Sequence, residues 1–241
     1  IVIYPLIDRQ IPVISLSDLF RFPDVWPFLT WITEPYNILL ALIIIMITTN
    51  EFSNHTFKTQ VIFGIERRDL VTQKILLILA LALFATLLVG LTSMVMGLIY
   101  SYKLTLGIAL ENMGLMAVYF LSSLTYMMYG LFFAMIIKNT ALSILSFLAL
   151  RTFVEPVLFL VFRDHEFRWF MPIRSLTRLT PLPNLIEIFQ RKMEGGESIE
   201  TSEMEILPKG PEPWINILVV TAYALILTWL CYRLMRRKRL T

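Results

Sequence analysis

Residues 75–100 read "ILLILALALFATLLVGLTSMVMGLIY", 26 positions without a charged side chain. A helix needs about 20 mostly apolar residues to cross the hydrocarbon core, where backbone N–H and C=O groups find no water and must bond to one another. This run meets that requirement, as does 112–137, "NMGLMAVYFLSSLTYMMYGLFFAMII", also uncharged. Three further runs qualify by length: 29–49, 139–162, which contains Arg151 and Glu155, and 214–232, which runs from Trp214 to Tyr232. Glu34 interrupts the first of these, and Trp26 and Trp31 flank its start as an interfacial aromatic belt would. Composition agrees, with 57% hydrophobic residues, 16% charged and a mean hydropathy of +0.70, against roughly 25% charged in soluble domains. The sequence predicts an all-α polytopic membrane protein, a single transmembrane domain over 1–241 with five transmembrane helices.

Sidedness follows from Lys and Arg. Alternation puts the segment 50–74, Lys138 and the basic tail 233–241 on one side, and 1–28, 101–111 and 163–213 on the other. Each side carries ten basic residues, but the first holds them within 35 positions and the second within 90, where the long loop also contains nine acids. Dense basic residues next to span ends mark the cytoplasmic side, so 50–74 and the tail are expected in the cytoplasm. Residue 1 is then outside, with no signal peptide or initiating Met ahead of it. A sixth, N-terminal span in the full protein would resolve this. In the loop 163–213, Leu185, Ile186, Phe189 and Met193 recur at helical spacing, as in a helix lying on the outer surface. Glu194, Glu197, Glu200 and Glu203 after it read as a solvated acidic loop. The single Cys231 excludes a disulfide framework and a thiolate metal site.

The segment between the first two spans, "NEFSNHTFKTQVIFGIERRDLVTQK" (50–74), is polar yet patterned. Phe57, Val61 and Ile65 recur every four residues with Ile62 adjacent, so a short helix is expected to have one apolar face and to carry Lys58, Gln60 and Glu66 on the other. Gly64 permits a turn before "ERRD" (66–69), and the chain then re-enters the membrane past Lys74. Two readings fit: an interfacial helix with snorkelling basic residues, or a docking surface for a soluble partner.

The same segment resembles the cytoplasmic coupling region of ABC-2 type ATP-binding cassette transporter permeases, at Glu51, Thr56, Phe57, Lys58, Gly64, Arg67 and Lys74. Glu66 stands where many members of that family have Ser before the Arg. The likeness extends along the chain through "EP" (Glu155, Pro156) in the penultimate span, "FMPIRSLTRLTPLPN" (170–184) and a last span ending in basic residues. It is greatest to the group that includes gliding-motility permeases. The resemblance implies a permease subunit of an exporter in the inner (plasma) membrane of a bacterium, paired with a second permease and driven by separate ATPase subunits. ATP and Mg²⁺ would be bound by those subunits. It also implies that the coupling helix seats in a cleft on the ATPase through its apolar face, with Val61 on that face and Arg67, Arg68 and Asp69 at the rim. No GxxxxGK[ST] phosphate loop occurs in this chain, so ATPase activity is not expected of it, nor is nucleic-acid binding.

A second candidate site lies inside the fourth span. Arg151 is twelve residues past Asn139, about 18 Å along a helix, and Glu155 follows at i+4, where the two can pair. Pro156 weakens the helix there. Buried ionisable groups are functional candidates; the residues favour a structural pair between spans, and as a functional one it could serve an ion-coupled secondary transporter or channel instead of an ATP-driven permease. Glu34 and Glu111, near the outer ends of their spans, read as interfacial.

Overall fold

The computed structural model describes residues 19–54, 56–101, 106–180 and 212–237. The surface helix expected over 183–193, the acidic run after it, most of 1–28 and the end of the basic tail lie outside the described residues, as do His55 and the Lys58 side chain. Every regular element among the described residues is a helix: α1 (Val25–Thr33), α2 (Tyr36–Ser53), α3 (Thr56–Ile62), α4 (Arg67–Tyr100), α5 (Leu106–Leu110), α6 (Leu115–Ile137) and α7 (Thr140–Ala149). After α7 come a π turn (Leu150–Val154), α8 (Glu155–Val161), a 3₁₀ turn (Glu166–Phe170), α9 (Pro172–Thr177) and α10 (Pro213–Arg237). Among the described residues, five stretches are long and apolar enough to cross a membrane: Tyr36–Ser53, Arg67–Tyr100, Gly107–Ile137, Thr140–Val161 and Pro213–Arg236. The chain is an all-α polytopic membrane protein.

Helix α6 is the centre of the bundle. It packs against α2, α4, α7 and α10, and 61% of its span is buried, against 11–33% for the others. Hydrophobicity does not bring helices together in lipid, so close packing at small residues has to. Gly130 supplies it: a Cβ there would lie 2.6 Å from the Ala41 carbonyl oxygen, so α2 and α6 cross with backbone against side-chain-free backbone. The outward faces stay apolar for lipid, as at Leu83, Phe84, Leu87 and Leu91 on α4.

Side-chain contacts sort the loops onto two ends. At one, the Trp26 indole N–H donates to Ala109 O (2.9 Å) and the Phe22 N–H to Ser101 Oγ (3.0 Å). At the other, Thr49 and Thr140 hydroxyls meet at 2.8 Å, Thr72 and Tyr232 at 2.9 Å, and Lys138 lies over the Phe52 ring.

The helix limits differ from those expected at the first two spans, and α10 runs on past Tyr232 to Arg237. The first span is broken: Pro35 has no N–H to continue the ladder, so α1 ends at Thr33 and α2 starts at Tyr36. Trp26, expected at the interface, is 2% exposed and packed with Val25, Phe28 and Val89. The second span begins early. Helix α4 runs 34 residues, about 51 Å, against a hydrocarbon core of about 30 Å, so its charged first turns, from Arg67 to Lys74, stand clear of the apolar stretch.

Candidate functional site

The patterned segment 50–74 folds as an elbow. Helix α2 ends at Ser53, α3 occupies Thr56–Ile62, and Gly64 takes φ +92° to reverse the chain into α4. That conformation is strained for any residue with a Cβ. Asp69 lies in the first turn of α4, where a negative charge suits the helix dipole. The elbow is pinned to its span by an ion pair between Lys74 and Glu51, two residues matched in the resemblance.

The apolar face of α3 does not point where the docking reading put it. Phe57 is 2% exposed and stacks on Phe52 with ring centroids 4.4 Å apart, and Val61 and Ile65 pack on the same core. These residues fasten the elbow to the spans. The side chains turned outward are Ile62 and Phe63, 81% and 82% exposed, beside exposed Glu66, Arg68 and Asp69. Thr56 and Arg67 are half-buried. Ile62 was expected on the same face as Phe57, but it ends the helix at the turn and faces out.

The charged residues of the fourth span are also partnered differently. Arg151 and Glu155 do not hold one another. The i,i+4 argument assumes 3.6 residues per turn, whereas Leu150–Val154 is a π turn, closed by the Glu155 N–H to Leu150 O. Pro156 next to it cannot donate to the preceding turn. Arg151 instead lies 3.6 Å from Glu34 and donates to the Tyr126 hydroxyl at 3.0 Å, while that hydroxyl also bonds the Glu34 carboxylate. Glu34 is 6% exposed, so it is a buried charge at the α1–α2 break and not an interfacial one. Glu111 is exposed. Two helix irregularities, the break at Pro35 and the π turn, thus meet across one buried ion pair bridged by Tyr126.

A polar seam continues from this pair between α2 and α6. Ser123 Oγ donates to Asn37 Oδ1 at 2.8 Å. Asn37 Nδ2, Ser122 Oγ and Tyr129 Oη are buried without a hydrogen-bond partner. Unmatched polar groups of this kind are costly in a static interface.

Glu155 has a separate role. Its carboxylate accepts the backbone N–H groups of Ile173 (2.6 Å) and Arg174 (2.9 Å), the first free donors of α9. "EP" and "FMPIRSL" are therefore two halves of one joint. From the other side, Asn216 Nδ2 donates to Ser175 O, which ties α9 to α10, and the Tyr223 hydroxyl donates to Phe170 O, which ties the 3₁₀ turn to α10. Arg168, Arg174 and Arg178 gather around the Trp169 ring. Burial, and then the charge of Arg174, push the Arg178 guanidinium below its ordinary value.

Tyr126 and the role of Glu34 carry little signal in sequence. Glu34 is followed by Pro35, which marks a break, but nothing local names a partner 92 or 117 positions away. Comparison of the chain with protein-family models, with curated proteins and with solved structures found no match in any of the three.

Proposed function

We propose that this chain is the membrane-spanning subunit of an ATP-binding cassette exporter, with the elbow at residues 50–74 as its coupling element. The observation that carries the reading is the exposed pair Ile62 and Phe63, held among charges at the tip of an otherwise well-anchored elbow. Large apolar side chains ringed by charge, outside the apolar spans, suit insertion into a protein cleft. The rigid extension of α4 supports the same reading, since displacement of the tip moves a helix that is continuous into the membrane. In this account the nucleotide-binding subunits are separate chains that hold ATP and Mg²⁺, the permease pairs with itself or a related permease, and the complex resides in a bacterial inner membrane. The elbow is its cytoplasmic face.

The test is mild-detergent purification of the full-length protein from its native membrane. A stoichiometric ATPase partner is expected, with association or stimulated ATPase activity lost in Phe63→Asp. Recovery of the chain alone would oppose the reading. The buried Glu34, Tyr126 and Arg151 centre favours a second one, an ion-coupled transporter or channel. Proton flux through proteoliposomes of the chain alone, abolished by Glu34→Gln, would establish that instead.

A further inference from the structure

A cleft of about 340 Å³ opens between α8 and α9, at the joint made by Glu155. This is within the range of small-molecule sites. Its wall is amphipathic: Phe159, Leu160 and Ile173 are apolar, and Arg151, Arg174, Thr177 and the Glu155 carboxylate are polar. The two acids nearby have partners already. Glu155 is bound to two backbone N–H groups, and Glu34 to Tyr126 and Arg151. The guanidiniums have donors to spare. Arg151 is 20% exposed and uses one N–H on Tyr126, out of five. The Arg174 guanidinium carbon lies 4.2 Å from the centre of the Phe159 ring, and the side chain makes no ion pair among the described residues. A cation–π contact with a ring uses none of the guanidinium's five N–H donors as ion-pair donors, so they can serve an anion.

The cleft continues onto apolar surface. Val157, Leu160 and Val161 on α8 are 56–70% exposed and share a face at helical spacing. A soluble anion would gain nothing from that stripe, whereas an acyl chain would. We propose that the cleft seats the phosphate of an anionic phospholipid between Arg151 and Arg174, with an acyl chain along the exposed stripe of α8. This inference does not rest on the transporter class.

The test is native mass spectrometry of the full-length protein released from micelles containing equal phosphatidylglycerol and phosphatidylcholine of the same chain length. Phosphatidylglycerol is expected to dominate the retained lipid. Arg174→Gln should lower its preference by about tenfold, the loss of one charge-assisted contact. Arg168→Gln, which removes a cation stacked on the same rings but outside the cleft, should leave the preference intact. Thr177→Trp, which fills the cleft from α9, should abolish retention and carries the test if Arg174→Gln fails to assemble. Equal retention of the two lipids, or a preference unmoved by Arg174→Gln and Thr177→Trp, would overturn the proposal. Displacement of phosphatidylglycerol by millimolar inorganic phosphate would also overturn it, identifying a free-anion site.

Discussion

Replacing Glu155 by Ala tests whether the EP motif works as a joint or as half of an intramembrane ion pair. The change leaves two backbone donors of α9 without an acceptor, the Ile173 N–H in a buried position and the Arg174 N–H in a partly buried one. Hydrogen bonds to a charged group contribute about 1.5–3 kcal/mol each. Water can reach the Arg174 amide and recover part of its share, and removing a buried carboxylate relieves some desolvation. The net cost is then about 3 kcal/mol, or a shift on the order of 6–12 °C in the unfolding midpoint for a chain of this size. Glu155→Gln keeps one acceptor oxygen but turns an NH₂ towards the second donor, so it should cost about half as much. The single cysteine, Cys231, is fully buried, which makes thiol-reactive dye labelling on heating a direct readout in detergent. Proteolysis should rise over 163–180 in step with destabilisation, because α9 would then have lost its hydrogen bonds to α8. A midpoint within about 1 °C of wild type for Glu155→Ala would refute the joint. So would recovery of Glu155→Ala by Arg151→Leu, which only a direct pair between the two predicts.

Other perturbations follow from the same contacts. Removing one member of a buried ion pair costs about 3–5 kcal/mol, so Arg151→Leu and Glu34→Gln should each destabilise strongly, while the double variant costs much less than their sum by the same thermal assay. Gly130→Leu forces side-chain volume against the Ala41 carbonyl and should prevent α2 and α6 from closing, seen as loss of monodisperse protein on size exclusion; Gly114→Ala, with open space at its Cβ, should be tolerated. Phe57→Ala removes a buried ring from the elbow and should cost about 3–5 kcal/mol, whereas Phe63→Ser, at an exposed position, should leave the midpoint unchanged.

The spans were legible because the requirement they meet is local: each must satisfy its own backbone and face lipid, and 75–100 does so in sequence alone. The broken first span was half legible, since Pro35 after Glu34 announces an interruption without saying what the carboxylate binds. Arg151 and Glu155 show the limit of spacing arguments. Their i,i+4 relation holds only in a regular α-helix, and the π turn beside Pro156 sends them to different partners. The elbow failed in the same way. Phe57, Val61 and Ile65 do form an apolar face, but periodicity cannot tell whether such a face is spent on the chain's own core or offered to another protein, and here it packs inward. The exposed Ile62 and Phe63 become a candidate surface only once that burial is known.

Site-directed cross-linking at the elbow tip tests the central claim most directly. In a Cys231→Ala background, which leaves residues 1–241 free of cysteine, Phe63→Cys is labelled with a short maleimide–diazirine photocross-linker in native membranes containing the full-length protein and irradiated. The account predicts a cross-linked product joining the permease to a nucleotide-binding ATPase, lost with a cysteine placed at the lipid-facing Leu87. Its yield should change when ATP is trapped. A tip cysteine that reacts freely with soluble maleimide but joins no ATPase, in membranes where the protein is active, would contradict it.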